Sequence, residues 1–217
     1  MIKLYRPVGL KEMELILNSN SREFPARLPT QPIFYPVLEY EYASQIASDW
    51  NTVDNNSGLV GYVTEFNIDE DYISQFKVHT VGKSIHRELW IPSNKLKEFN
   101  NNIIGKILIS EAFYGKGYIG IAPEPTILKN TGVKDQILLL NRILNYSGMD
   151  FRCEVALQWK TILLNIIYWH KLDLTKDGID EESKLLLLTK IYNVLKQNGK
   201  QLIVNSYRWT MLTDCAC

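Results

Sequence analysis

Residues 121–132 read Ile121-Ala122-Pro123-Glu124-Pro125-Thr126-Ile127-Leu128-Lys129-Asn130-Thr131-Gly132 and carry the last two of the chain's eight prolines. The other six lie between Pro7 and Pro92, and none follows Pro125. Proline lacks a backbone donor and fixes φ, so it punctuates strands and turns and is poorly tolerated inside helices. Upstream of this stretch, short apolar runs alternate with turn residues; downstream, apolar residues recur at helical spacing. The pattern predicts an α+β protein, with a β-containing region over 1–125 and a mainly helical region over 126–217. Charge divides at the same place. Residues 1–125 hold 12 Lys+Arg and 15 Asp+Glu, residues 126–217 hold 12 and 9, and the 217-residue chain has a formal net charge of zero.

Hydrophobic residues make up 46% and charged residues 22%, which is globular rather than disordered or fibrous composition. Zero net charge removes a general attraction to nucleic acid or anionic membrane, although the second half, at +3, leaves room for a nucleic-acid partner. The start, MIKLYRPVGL, has no signal pattern, and the apolar stretch Ile162–Trp169 is far too short to span a bilayer. Cys153, Cys215 and Cys217 make no Cys-x-x-Cys and no even disulfide set, so a reducing cytoplasm without membrane association is expected.

In the first region strands are expected over Ile2–Val8, Ile33–Val37, Leu59–Ile68, Ile85–Ile91 and Ile104–Phe113. Helices are expected over Leu10–Leu17 and over 39–50, where Tyr40, Ala43, Ile46, Ala47 and Trp50 recur. Ser93 is the expected N-cap of a further helix carrying Leu96, Phe99 and Ile103. In the second region three helical stripes stand out: Val133 to Leu144, Val155 to Ile166, and Leu185 to Leu195 with Gly199 as its stop. Gln201–Tyr207 reads as a last strand.

No phosphate loop, dinucleotide fingerprint or nucleophile elbow occurs, and His79, His86 and His170 lack metal-ligand spacing. Two local features carry chemistry. Strand alternation puts Arg6 on one face with Ile2, Leu4 and Val8, where a guanidinium needs an anionic partner, either a protein carboxylate or a bound phosphate. The same alternation in His86-Arg87-Glu88-Leu89-Trp90-Ile91-Pro92 turns Leu89 and Ile91 inward. It lines up a titratable ring, a carboxylate and an indole on the other face.

Three pieces of the chain, in order, resemble the ADP-ribosyltransferase superfamily. They are Leu4-Tyr5-Arg6, then Pro32-Ile33-Phe34-Tyr35-Pro36 with the helix beginning at Tyr40, then His86 to Pro92. Residues 1–120 also resemble bacterial proteins carrying an "ADP-ribosylation/crystallin J1" label. The resemblance implies a split β-sandwich around an NAD cleft and a mono-ADP-ribosyltransferase that modifies protein, DNA or RNA. Such an enzyme acts as a toxin or antiphage effector and meets an antitoxin or similar partner protein. It implies Glu88 as the catalytic carboxylate, Arg6 and Tyr5 on the first-strand motif that contacts NAD, and Tyr35 stacking on nicotinamide, with Trp90 or Trp50 walling the cleft. An aromatic stack of this kind contributes about 0.5–1.5 kcal/mol beyond area.

Arginine-modifying members carry Ser-Thr-Ser where this chain has Phe34-Tyr35-Pro36. They also place Glu or Gln two residues before the catalytic Glu, where this chain has His86. Both departures argue against an arginine acceptor and assign His86 as general base toward a less basic one. Glu65 and Glu111 are rival strand carboxylates. An NAD glycohydrolase needs the same residues, and a catalytically silent binding module keeps the fold without turnover.

Overall fold

The computed structural model describes residues 1–200. It divides into two compact units, Met1–Tyr118 and Ile119–Cys217. The expected strand at Gln201–Tyr207, and Cys215 and Cys217, lie outside the described residues.

The first unit is built on an antiparallel sheet of β1 (Ile2–Val8), β3 (Val60–Ile68) and β7 (Ile103–Tyr114), with β3 in the centre. The β1–β3 register pairs Leu4 with Phe66, Arg6 with Thr64 and Val8 with Tyr62. Paired residues share a face, so this face is apolar apart from Arg6 and Thr64. Helix α1 (Leu10–Asn18) covers it with Leu10, Met13, Ile16 and Leu17, all buried. An aromatic cluster completes this core: the Phe24 ring lies 4.9 Å from Phe34 and 5.0 Å from Phe66, and Phe34 lies 5.1 Å from Phe99. The opposite face carries Tyr5 and Val63. Helix α2 (Tyr40–Gln45) and the π-helical turn Ile46–Asn51 close it through Tyr42, Ala43 and Ala47. The central strand is therefore covered on both sides.

The single helix expected over 39–50 is thus α-helical only to Gln45, and Trp50 is exposed rather than packed. The wide turn brings Ala47 against β3 at Gly61, where a Cβ would lie 2.2 Å from the Ala47 carbonyl oxygen. Only a residue without a side chain permits that approach.

The remaining pieces pair over short lengths. β2 (Ile33–Phe34) pairs with β6 (Ile91–Pro92), and β4 (Val78–Thr80) with β5 (Arg87–Leu89). The strand expected over Ile85–Ile91 is accordingly two short ones broken at Trp90, and Pro92 pairs with Ile33 instead of ending the run. Ser93 does not cap a helix. It opens a 3₁₀ turn and donates its N–H to the Pro32 carbonyl at 2.8 Å; α4 (Leu96–Asn101) follows, and Ile103 already belongs to β7. A short α3 (Glu70–Ile73) is capped by Asp69, whose side chain accepts from the Tyr72 N–H.

The second unit is helical: α5 (Val133–Tyr146), α6 (Gly148–Leu157), α7 (Trp159–Lys171) and α8 (Glu181–Gln197). The stripe expected from Val155 to Ile166 spans two helices, because Gln158 leaves helical geometry between them. α7 is buried on every side over residues 161–167, which makes it the central helix of this unit. Its polar atoms are satisfied internally. Asn165 donates to Gln136 at 2.7 Å, the Trp169 indole donates to the Val133 carbonyl at 2.7 Å, and Lys184 caps the helix end at the His170 and Leu172 carbonyls. Gly199 adopts φ +67°, the left-handed conformation expected of a stop after α8. Among the described residues no helix is long and apolar enough to cross a membrane.

Two predictions concern this scaffold. Gly61→Ala should lower stability by about 1–3 kcal/mol in urea unfolding, because the added methyl meets backbone rather than a movable side chain. The second concerns Tyr72, whose buried hydroxyl has no hydrogen-bond partner and whose phenol is pushed up to about 12, first by burial and then by Glu98. The folded value exceeds the unfolded value of about 10, so this contribution is complete below about pH 10 and lost as pH rises through about 12. Urea midpoints measured from pH 9 to 12 should therefore fall less steeply in Tyr72→Phe than in the parent.

Candidate functional site

The site begins with the placement of residues 33–38. Ile33 pairs with Pro92, Phe34 with Ile91 and Val37 with Glu88, a single antiparallel register that sets Tyr35 opposite Trp90. Pro36 has no N–H to donate, so the ladder is interrupted there; the Leu89 N–H still reaches the Pro36 carbonyl at 2.9 Å. Val37 also bridges Tyr5 on β1, exchanging both backbone hydrogen bonds at 2.8 and 2.9 Å. The sheet is thereby continued from β1 through Val37 to Glu88 on β5 and His79 on β4.

Alternation then sorts the side chains. Phe34, Leu89 and Ile91 turn into the aromatic core and are buried. Tyr35, Val37, His86, Glu88 and Trp90 share the other face with Tyr5. Glu88 is the polar centre of this group. Its Oε1 accepts from the Trp90 indole at 2.7 Å, and its Oε2 accepts from the Tyr42 hydroxyl at 3.5 Å. Burial, then the charge of Glu88 and its hydrogen bond, raise the Tyr42 phenol above its ordinary value, so Tyr42 remains a donor.

Rings surround the carboxylate. His79 stacks on Trp90 at 4.1 Å, His86 stacks on Tyr42 at 4.5 Å, and the Tyr35 ring meets the edge of Trp90 at 6.2 Å. Tyr35 and Trp90 form the open rim, 38% and 42% exposed. The His86 ring nitrogens both have partners: Nδ1 accepts from the Lys83 N–H at 3.2 Å and Nε2 meets Gln45 Oε1 at 3.1 Å. That pattern puts the ring proton on Nε2.

Arg6 stands on the opposite face of β1, 7% exposed. Its Nε and Nη2 donate to the two carboxylate oxygens of Glu12 on α1 at 2.7 and 3.1 Å, and its Nη1 donates to the Tyr35 carbonyl at 3.0 Å. Its Cζ lies 4.5 Å from the Phe34 ring centre. The anion that this strand position demands is thus a protein carboxylate, held in bidentate fashion. The structure brings His86, Glu88, Trp90 and Tyr35 into one cluster. It connects Tyr5 to them through Val37, and Arg6 through the Tyr35 backbone.

Of the rival carboxylates, Glu65 takes Lys3 at 3.2 Å and Glu111 accepts from the Ala112 N–H at 3.3 Å. Three contributors were not singled out from sequence. Tyr42 and Gln45 reach the cluster by packing of α2, and His79 reaches it by pairing with Glu88; neither relation leaves a local spacing signal. Among the described residues no group of three or more His, Cys, Asp or Glu is placed to hold a metal ion. Comparison of the chain with protein-family models, with curated proteins and with solved structures finds no match.

Arg6→Met should destabilise the protein by about 1.5–3 kcal/mol, because the Glu12 carboxylate and the Tyr35 carbonyl lose three charge-assisted hydrogen bonds while Arg27, 3.8 Å from Glu12, remains as its cation. Urea unfolding measures the loss. Near-ultraviolet circular dichroism should change with it, since the Tyr35 backbone is released beside Trp90.

Proposed function

We propose that this chain is an NAD-dependent mono-ADP-ribosyltransferase acting in the cytoplasm, with a split β-sandwich of that superfamily in its first unit and a macromolecular acceptor. The observation that carries the reading is the setting of Glu88, a carboxylate fixed by two donors and ringed by aromatic side chains on an open rim. NAD supplies a nicotinamide–ribose bond whose cleavage develops positive charge on the sugar and releases nicotinamide with the bonding electron pair. A carboxylate oriented in advance opposes such charge without reorganising. The Trp90 indole and the Tyr42 hydroxyl hold Glu88 in that orientation. Tyr35 and Trp90 offer exposed aromatic faces to a nicotinamide ring. Arg6 keeps the Tyr35 backbone in register and retains N–H groups beyond the three already bonded.

The acceptor atom forms the new bond to the ribose carbon and gives up its proton. In the transferase reading His86 takes that proton at Nδ1, once the Lys83 N–H moves aside from the ring. The prior commitment of both ring nitrogens favours water as the acceptor and supports NAD glycohydrolase as the second reading.

The test uses the full chain with labelled NAD and bacterial lysate, followed by separate digestion with protease, DNase and RNase. Label retained in one polymer class is the expected result for a transferase, and free ADP-ribose alone is the result for a hydrolase. Glu88→Gln keeps an oxygen for the Trp90 donor and should lower either turnover by about a hundredfold or more. Full turnover in that variant, or no rise in melting temperature at about millimolar NAD, would sink the reading.

A further inference from the structure

Of the rings around Glu88, His79 has no part in the chemistry above. It stands on β4 directly opposite Glu88 in the β4–β5 register, so the two side chains share a face. Its ring does not pair with the carboxylate. It lies flat on the Trp90 indole instead, with 4.1 Å between ring centres and the planes 10° apart. Trp90 is two residues beyond Glu88, so this is the diagonal contact that a pleated pair brings within reach of aromatic side chains. Among the described residues the His79 imidazole takes part in no hydrogen bond or ion pair, and the stack is what the side chain contributes. Trp90 needs such a support. It falls between β5 and β6 and belongs to neither strand, and it is 42% exposed. Its other ring neighbour, Tyr35, is itself exposed and stands nearly perpendicular at 6.2 Å. Glu88 in turn depends on Trp90, because the indole N–H supplies its shorter hydrogen bond, 2.7 Å against 3.5 Å from the Tyr42 hydroxyl.

We propose that His79 is a positioning residue: its imidazole fixes the Trp90 indole by stacking and, through the indole N–H, the orientation of Glu88. An indole that swings to another rotamer carries its N–H away and leaves Glu88 with the longer bond from Tyr42 alone. The carboxylate then has to be reoriented as charge develops on the ligand, which is the reorganisation that a fixed group avoids. That the charge arises on the ribose of NAD rests on the reading above; the bracing of Trp90 by His79 does not. The other donor is secured in its own way, since Tyr42 is buried and His86 stacks on it at 4.5 Å. His79 had no sequence signal, because Val78-His79-Thr80 is too short a strand for alternation to show.

The experiment reads the indole and the turnover separately in the full chain. Solvent exchange of the Trp90 Nε1 proton is followed by nuclear magnetic resonance, its signal assigned from its absence in Trp90→Phe. His79→Ala should speed that exchange and slow NAD cleavage, each by about two- to tenfold, the range that an aromatic stack is worth. His79→Phe keeps the stack and should bring both back to within about twofold of the parent. In a Glu88→Gln background His79→Ala should cost less than about a further twofold, because a residue that acts through Glu88 has nothing left to position. Unchanged indole exchange in His79→Ala overturns the proposal. So does a His79→Phe variant as impaired as His79→Ala, since the imidazole nitrogens and not the stack are then responsible. A full additional loss of turnover in the Glu88→Gln background overturns it as well. If the parent cleaves no NAD, the NAD reading falls and the exchange rates alone decide whether His79 braces Trp90.

Discussion

A guanidinium on the apolar face of a strand is costly until every part of it is answered, and in this protein the answer to Arg6 organises the first unit. Glu12 brings α1 down onto β1, the Tyr35 carbonyl fixes the segment after β2, and Phe34 lies under the guanidinium plane. The contacts come from two other stretches of chain, α1 and residues 34–35, so one buried charge sets the mutual positions of these two and β1. A buried ion pair of this kind adds little net stability relative to apolar packing, but it penalises any arrangement that leaves the charge alone. The aromatic core on the same face supplies the apolar burial; the ion pair supplies the register.

The two faces of the sheet then do different things. Against α1 the packing is dense and aromatic. Against α2 the covering stops short, at the π-helical turn and Tyr42, and Tyr35 and Trp90 remain open beyond it. Glu88 can therefore be oriented by the Trp90 and Tyr42 donors and still face solvent. A carboxylate fixed but uncovered is suited to meeting a charge that arrives with a ligand, whereas one inside the aromatic core would need a permanent partner.

Alternation and helical stripes were enough to locate β1, β3, β7, α1, α5 and α8, since the burial of their side chains follows from local periodicity. The demand of Arg6 for an anion was equally legible, and so was the common face of His86, Glu88 and Trp90. What could not be read was which partner answers the demand. The register that sets Tyr35 opposite Trp90, the bridge from Tyr5 through Val37 to Glu88, and the approach of Tyr42 are long-range pairings, and nothing local distinguishes them. The failures have the same origin. Tyr40 to Trp50 has a helix's period, but packing against β3 widens the last turn. Val155 to Ile166 has one stripe, but Gln158 divides it between two helices.

Gly61 has a consequence for inheritance. Where Ala47 meets it, strand and turn touch backbone to backbone, so neither side has atoms to give up. In descendants that keep this sheet, position 61 is closed to every residue with a side chain unless the turn at 46–51 is rebuilt in the same lineage. Variation at the two places is thus a joint event, and a relative lacking glycine there is expected to have lost the π-helical turn and, with it, the present seating of Tyr42 beside Glu88.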